Sequence, residues 1–115
     1  MSDRNSVVVI LVTAPDGQVA EQMARKLLEE RLAACVNIVP GLRSLYWWEG
    51  EVQSSDEVLM LMKARKQDVG AVAERVRELH PYEVPEVIAT EVVGGLEAYL
   101  DWVRLETERG DVWTG

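Results

Sequence analysis

Three runs in this chain, residues 7–12, 58–62 and 84–89, lack the alternation of apolar and polar residues that a half-exposed strand would show. Strands of that kind are buried on both faces. The rest of the chain holds too few helical segments to cover both faces of a sheet. The remaining face needs a cover, and a second copy of the same chain is the simplest one. Function is therefore expected where copies meet.

Helical periodicity is clearest over residues 18–32. Val19, Met23 and Leu27 form one stripe, Ala20, Ala24 and Leu28 lie beside it, and Asp16 is positioned as N-cap. A second helix is predicted over 67–79, with Val69, Val72, Ala73, Val76 and Leu79 at helical spacing. It ends at His80-Pro81, because a residue before proline is pushed out of the helical region. A third is predicted over 97–108, with Leu96, Tyr99, Leu100 and Val103 inward and Trp102 toward a partner. In the tail, 110–115, Trp113 is a candidate anchor.

Between the first two helices lies a long hairpin, with strands over 34–48 and 52–64 and a tip at Trp48-Glu49-Gly50-Glu51. Pro40-Gly41 predicts a bulge or an edge position, since proline donates nothing to a ladder. Each arm of about 13 residues reaches about 43 Å at about 3.3 Å per residue. A domain of this length is about 30–35 Å across, so the hairpin overhangs. It carries Leu45, Tyr46, Trp47 and Trp48 outward, a second argument for a partner chain. Trp47 and Met60 are expected in the interface between copies. A fourth strand is predicted over 86–93, broken by Gly94-Gly95.

The order β-α-β-β-α-β plus a helix points to an α+β, ferredoxin-like split βαβ sandwich, one domain over residues 1–115, with both main helices on one face. The net charge of −8 excludes nucleic acid and anionic membrane surfaces as partners. No apolar stretch reaches the length of a membrane span. Residues 1–6 lack a signal-peptide pattern, and the lone Cys35 suits a reducing compartment, so a cytoplasmic location is expected.

Five segments in order are similar to the CutA family, the divalent-cation tolerance proteins. They are Thr13-Ala14-Pro15-Asp16, Leu32-Ala33-Ala34-Cys35-Val36-Asn37, Ser44-Leu45-Tyr46-Trp47-Trp48-Glu49-Gly50, His80-Pro81-Tyr82-Glu83-Val84-Pro85-Glu86 and Tyr99-Leu100-Asp101-Trp102. The resemblance covers about residues 7–102. It implies ferredoxin-like subunits in a PII-like homotrimer, and a link to copper or other divalent cations. In bacterial members copper binding is attributed to a cysteine ending the first strand and two adjacent histidines before the Pro-Tyr segment. The matching positions here are Val12, Leu79 and His80, so the resemblance leaves only His80 as a metal candidate.

The candidate ligand-binding residues are Cys35, Lys63, Tyr82, Glu86 and Trp48, with Trp47 and Glu83 nearby in sequence. Cys35 reads as a soft-metal ligand or nucleophile, or as a small buried hydrophobe. His80 reads as a metal ligand or acid–base group, or as a helix-terminal residue bonding free carbonyls. Lys63 suits a buried carboxylate or an anion, with Glu86 pairing Lys63 or Arg65. The family usually has threonine after this lysine, where Ala64 stands here. Tyr82, Glu83 and Glu86 lie on a loop stiffened by Pro81 and Pro85. Three functions remain open: binding of a divalent metal or small effector in inter-subunit clefts, an enzyme with His80 or Glu86 as base and Lys63 stabilising an anion, or a structural trimer that docks other proteins.

Overall fold

The computed structural model describes residues 5–109. The order is β1 (Val7–Ala14), α1 (Gly17–Glu29), β2 (Cys35–Trp48), β3 (Glu51–Arg65), α2 (Val69–Leu79), β4 (Val87–Glu91) and α3 (Glu97–Glu106), with a 3-10 turn, Lys66–Asp68, before α2. The strands form one antiparallel sheet in the order β2-β3-β1-β4. This is the ferredoxin-like arrangement. The predicted Trp113 anchor lies outside the described residues.

Alternation along the strands divides the sheet into two faces. Val8, Ile10 and Val12 of β1 and Met60, Met62 and Ala64 of β3 point to one side, where Ala20, Met23 and Leu27 of α1 and Val72 and Val76 of α2 bury them. Each large side chain so buried contributes about 1.5–3 kcal/mol. Met60 is fully enclosed in this subunit core. Its expected place between copies is thus corrected: an even-numbered residue of β3 shares the helix side with Met62.

The odd-numbered side chains take the other face. Val9 and Leu11 stand beside Leu59 and Leu61, with Val39 and Ile88 in register outside them. Among the described residues only one end of this face is covered, where Leu100 and Val103 of α3 pack on Val7. The expected inward stripe of α3 is therefore half right. Leu96 is 74% exposed and Tyr99 is only partly covered, because a single short helix over one sheet corner buries one narrow stripe.

Asp16 caps α1, its carboxylate accepting the Val19 N–H at 2.9 Å. The helix stops at Glu29, short of the expected 32. Arg31 takes a left-handed backbone, φ 60°, and the Leu32 N–H turns back to Leu27 O at 3.0 Å. That closure is the one glycine usually makes. Here the Arg31 guanidinium pays for the strained position by pairing with Glu106 at 2.7 Å.

The hairpin overhangs as expected. β1 stops opposite Val58, so Glu51 to Glu57 have no neighbour on that side, an overhang of about 23 Å at about 3.3 Å per residue. The longest dimension is 49 Å against 27 and 23 Å. Val39 pairs with Leu59 but Leu42 pairs with Glu57, so β2 holds one extra residue at the Pro40-Gly41 bulge. Gly41 has φ 82° there. The extra residue reverses which side chains face which way. Beyond it Tyr46 and Trp48 share the open face, while Leu45 and Trp47 stand on the helix side of the hairpin.

The fourth strand starts at Val87, later than expected. Pro85 lacks an N–H and Val84 stands in solvent before it. The run 84–89 is thus not buried on both faces within the subunit: Ile88 and Ala89 lie on an outer strand and are exposed.

Candidate functional site

The polar side chains form two clusters at opposite ends of the open face. The first is at the base of the overhang. His80 ends α2 and is 7% exposed. Its Nε2 lies 2.8 Å from the Thr13 carbonyl, and its Nδ1 accepts the Tyr82 N–H at 3.0 Å. A carbonyl only accepts and an amide N–H only donates. The imidazole is therefore neutral with its proton on Nε2. The carbonyl that His80 bonds belongs to β1, not to its own helix end, so the expectation of a simple helix-terminal role is corrected. Both nitrogens are occupied, and neither is free for a metal ion in this geometry.

The His80 and Tyr82 rings sit 4.6 Å apart. From there the Tyr82 hydroxyl donates to Glu57 Oε2 at 3.0 Å. Partial burial, then the Glu57 carboxylate, pushes the Tyr82 phenol up to about 12. Tyr46 and Ser55 share a 2.7 Å hydrogen bond farther out on the hairpin. Glu57 itself is only 9% exposed. Among the described residues no cation pairs with it.

The second cluster lies near the start of β2. Cys35 and Lys63 are register partners. Lys63 Nζ donates to Asn37 Oδ1 and lies 4.0 Å from Cys35 Sγ. Burial and the adjacent Cys35 raise the Tyr99 phenol above its ordinary value. Lys63 has no carboxylate partner among the described residues. The expected Glu86 pairing with Lys63 or Arg65 is corrected. Arg65 pairs instead with Asp68 and donates to Thr107 O, and Glu86 is exposed.

Lys63 and Glu57 are six residues apart on one straight strand, about 20 Å at about 3.3 Å per residue. Within one subunit the residues expected around an inter-subunit cleft, Cys35, Lys63, His80, Tyr82 and Glu86, therefore do not all come together. His80 and Tyr82 come together, as do Cys35 and Lys63. Glu86 and Trp48 join neither: Trp48 pairs with Glu51 at the hairpin tip. Sequence reasoning missed Glu57 and Asn37. The signal was present, because Glu57, Leu59, Leu61 and Lys63 follow a period of two. No group of three or more metal-ligating side chains occurs among the described residues.

Together these features define a class: an α+β sandwich with an uncovered apolar sheet face flanked by opposite charges. The model of the CutA1 divalent ion tolerance protein matches residues 8–106, and the chain belongs to that family. The divalent-cation tolerance protein CutA of Thermus thermophilus is 50% identical over 99 residues, 86% of this chain and 96% of that protein. The chloroplastic protein CutA 1 of Oryza sativa subsp. japonica is 45% identical over 100 residues, 87% of this chain but 56% of that longer protein. In the crystal structure of CutA1 from Oryza sativa the fold recurs with a TM-score of 0.88 at 42% identity, covering 95% of this chain and 100% of that chain. The chloroplastic name shows that the family spans compartments, so the expected cytoplasmic location does not follow from membership. Among the described residues no helix is long and apolar enough to cross a membrane.

Proposed function

We propose that the chain is a homotrimeric binding protein of divalent-cation tolerance, and that it holds a small polar effector in clefts between subunits. The observation that carries this reading is the open sheet face. Val9, Leu11, Leu59 and Leu61 form an apolar centre with the Glu57 carboxylate at one end and the Lys63 ammonium at the other, neither with an ionic partner among the described residues. A face of that kind is covered by protein, and its charged ends become the walls of clefts. Tyr82 and Glu57 supply a hydroxyl and a carboxylate, while Lys63 and Asn37 supply cationic and amide donors. Cys35 and Tyr99 border the second wall. The one-domain organisation over 1–115 is part of this reading.

Copper held directly by His80 is not the favoured form of it. A metal there would have to displace either the Thr13 carbonyl or the Tyr82 N–H. His80 acts instead as a positioning residue that fixes Tyr82 over Glu57.

The test is titration of the purified chain with Cu²⁺, with Zn²⁺ and separately with a panel of amino acids and nucleotides, read by calorimetry and by NMR signals of Lys63, Tyr82 and His80. A metabolite that moves Lys63 and Tyr82 together supports the reading. Stoichiometric Cu²⁺ binding lost in His80→Ala would replace it with a metal site. A chain that is monomeric by light scattering would remove its oligomeric half.

A further inference from the structure

We infer that Glu57 of one subunit is completed by Lys63 of a neighbouring copy, so that the polar floor of each cleft is a charge pair drawn from two chains. The inference rests on the oligomeric part of the reading above and names the contact that sets its geometry.

Glu57 and Lys63 lie on the same face of β3, because residues separated by an even number point the same way. Among the described residues neither has an oppositely charged partner in its own subunit. The Glu57 carboxylate is nine-tenths buried and receives one hydrogen bond, from the Tyr82 hydroxyl. Among the described residues the Lys63 ammonium meets Asn37 Oδ1 and Cys35 Sγ and no carboxylate. Arg65, the next cation on this face, is already engaged by Asp68 and the Thr107 carbonyl. Among the described residues the apolar centre of the face thus has the Glu57 carboxylate at one end and the Lys63 ammonium at the other, each without an ionic partner and about 20 Å apart at about 3.3 Å per residue, with Glu51 farther out at the hairpin tip. They cannot meet within the chain.

Between and around them the face is apolar, with Leu59 and Leu61 on β3 itself. Covering it with a partner removes water from both charges. An unpaired charge in a dry interface is strongly unfavourable, whereas a hydrogen-bonded pair offsets that cost. A second copy carries the complement of each charge at the right end of the same surface. In a cyclic assembly every contact joins one end of a subunit to the other end of the next. Each Glu57 then meets a Lys63. The shape agrees: Glu57 sits where the hairpin leaves its own sheet, with Leu42 of β2 on one side and no strand neighbour on the side toward β1.

Chemistry at both residues leaves room for the pair. Tyr82 occupies Glu57 Oε2, so Oε1 remains to accept. An ammonium has three donors, and Asn37 and Cys35 take at most two.

The experiment is a double-substitution cycle on the full chain: Glu57→Gln, Lys63→Gln, the two together, and the exchange Glu57→Lys with Lys63→Glu. Subunit association is followed by light scattering, and the thermal midpoint by calorimetry. Each single change is expected to lower the midpoint by about 5 °C. The two neutral changes together should cost no more than the larger one, and the exchange should restore most of the loss. Residues beyond about 10 Å in one chain otherwise act additively. A second measurement needs no variant. Zero-length carbodiimide coupling of mixed ¹⁵N-labelled and unlabelled subunits should give an isotopically mixed peptide joining Lys63 to Glu57. Additive losses, or coupling of Lys63 to a different carboxylate or to none, overturn the inference while the oligomer itself stands. A monomeric wild-type chain overturns the oligomeric reading and this pair with it.

Discussion

His80 and Thr13, 67 positions apart in sequence, are joined by a 2.8 Å hydrogen bond from the imidazole Nε2 to the β1 carbonyl. The same ring accepts the Tyr82 N–H on its other nitrogen. One side chain thereby ties the end of α2 to the end of β1 and sets the start of the loop that carries Tyr82. Replacing it by alanine strands a buried carbonyl and an amide. His80→Ala is expected to cost about 2–6 kcal/mol, from about 1–3 kcal/mol for each abandoned group. Denaturant unfolding measures this, and an effect under about 0.5 kcal/mol, the level of an ordinary surface change, would refute the bracing role.

Tyr82 should ionise above the ordinary range of a phenol. Its phenol is pushed up to about 12 from 10.0 by burial and by Glu57. Because the folded value lies above the unfolded one, the neutral phenol's contribution is whole below 10 and is lost as pH rises from there through about 12. Ultraviolet difference titration of wild type and Glu57→Gln tests this. The carboxylate's share predicts an earlier transition in the variant, and identical curves would exclude Glu57 as a cause.

Adjacent residues of β3 should fail in different ways. Leu61 stands on the open face and Met60 in the helix-side core. Leu61→Glu is expected to leave the subunit folded but block its assembly. Met60→Glu is expected to unfold the subunit, since it buries a charge without a partner at a cost of several kcal/mol. Circular dichroism with light scattering separates the two outcomes. Equal loss of structure in both variants would contradict the assigned faces.

Acid should loosen the contact between the first two helices. Arg75 grips Glu30 with three hydrogen bonds of 2.8–3.1 Å, holding its carboxyl below the usual 4.5. A lowered folded value gives stability that is present above 4.5 and lost as pH falls through the folded value. The pair is partly exposed, so solvent screening keeps the effect small. Glu30→Gln should flatten the stability profile below that pH, as read by urea midpoints, and an unchanged acid limb would dismiss the pair as a contributor.

Much of the architecture was legible from the chain. Apolar periodicities of two and 3.6 placed four strands and three helices, Asp16 marked a cap, and the length of residues 34–64 predicted an overhang. These are local consequences of side-chain spacing and turn chemistry. Tertiary structure decided what local spacing cannot carry. The extra residue at the bulge reversed the facing of Tyr46 and Trp47, and the covering of one sheet corner left Leu96 outside and Tyr99 only partly covered. It also divided the polar residues between two ends of a sheet, joining Tyr82 to Glu57 across 25 positions and separating both from Lys63. Contacts of that range are set by how strands return beside one another, and a single strand's periodicity records a residue's face but not its neighbours across the sheet.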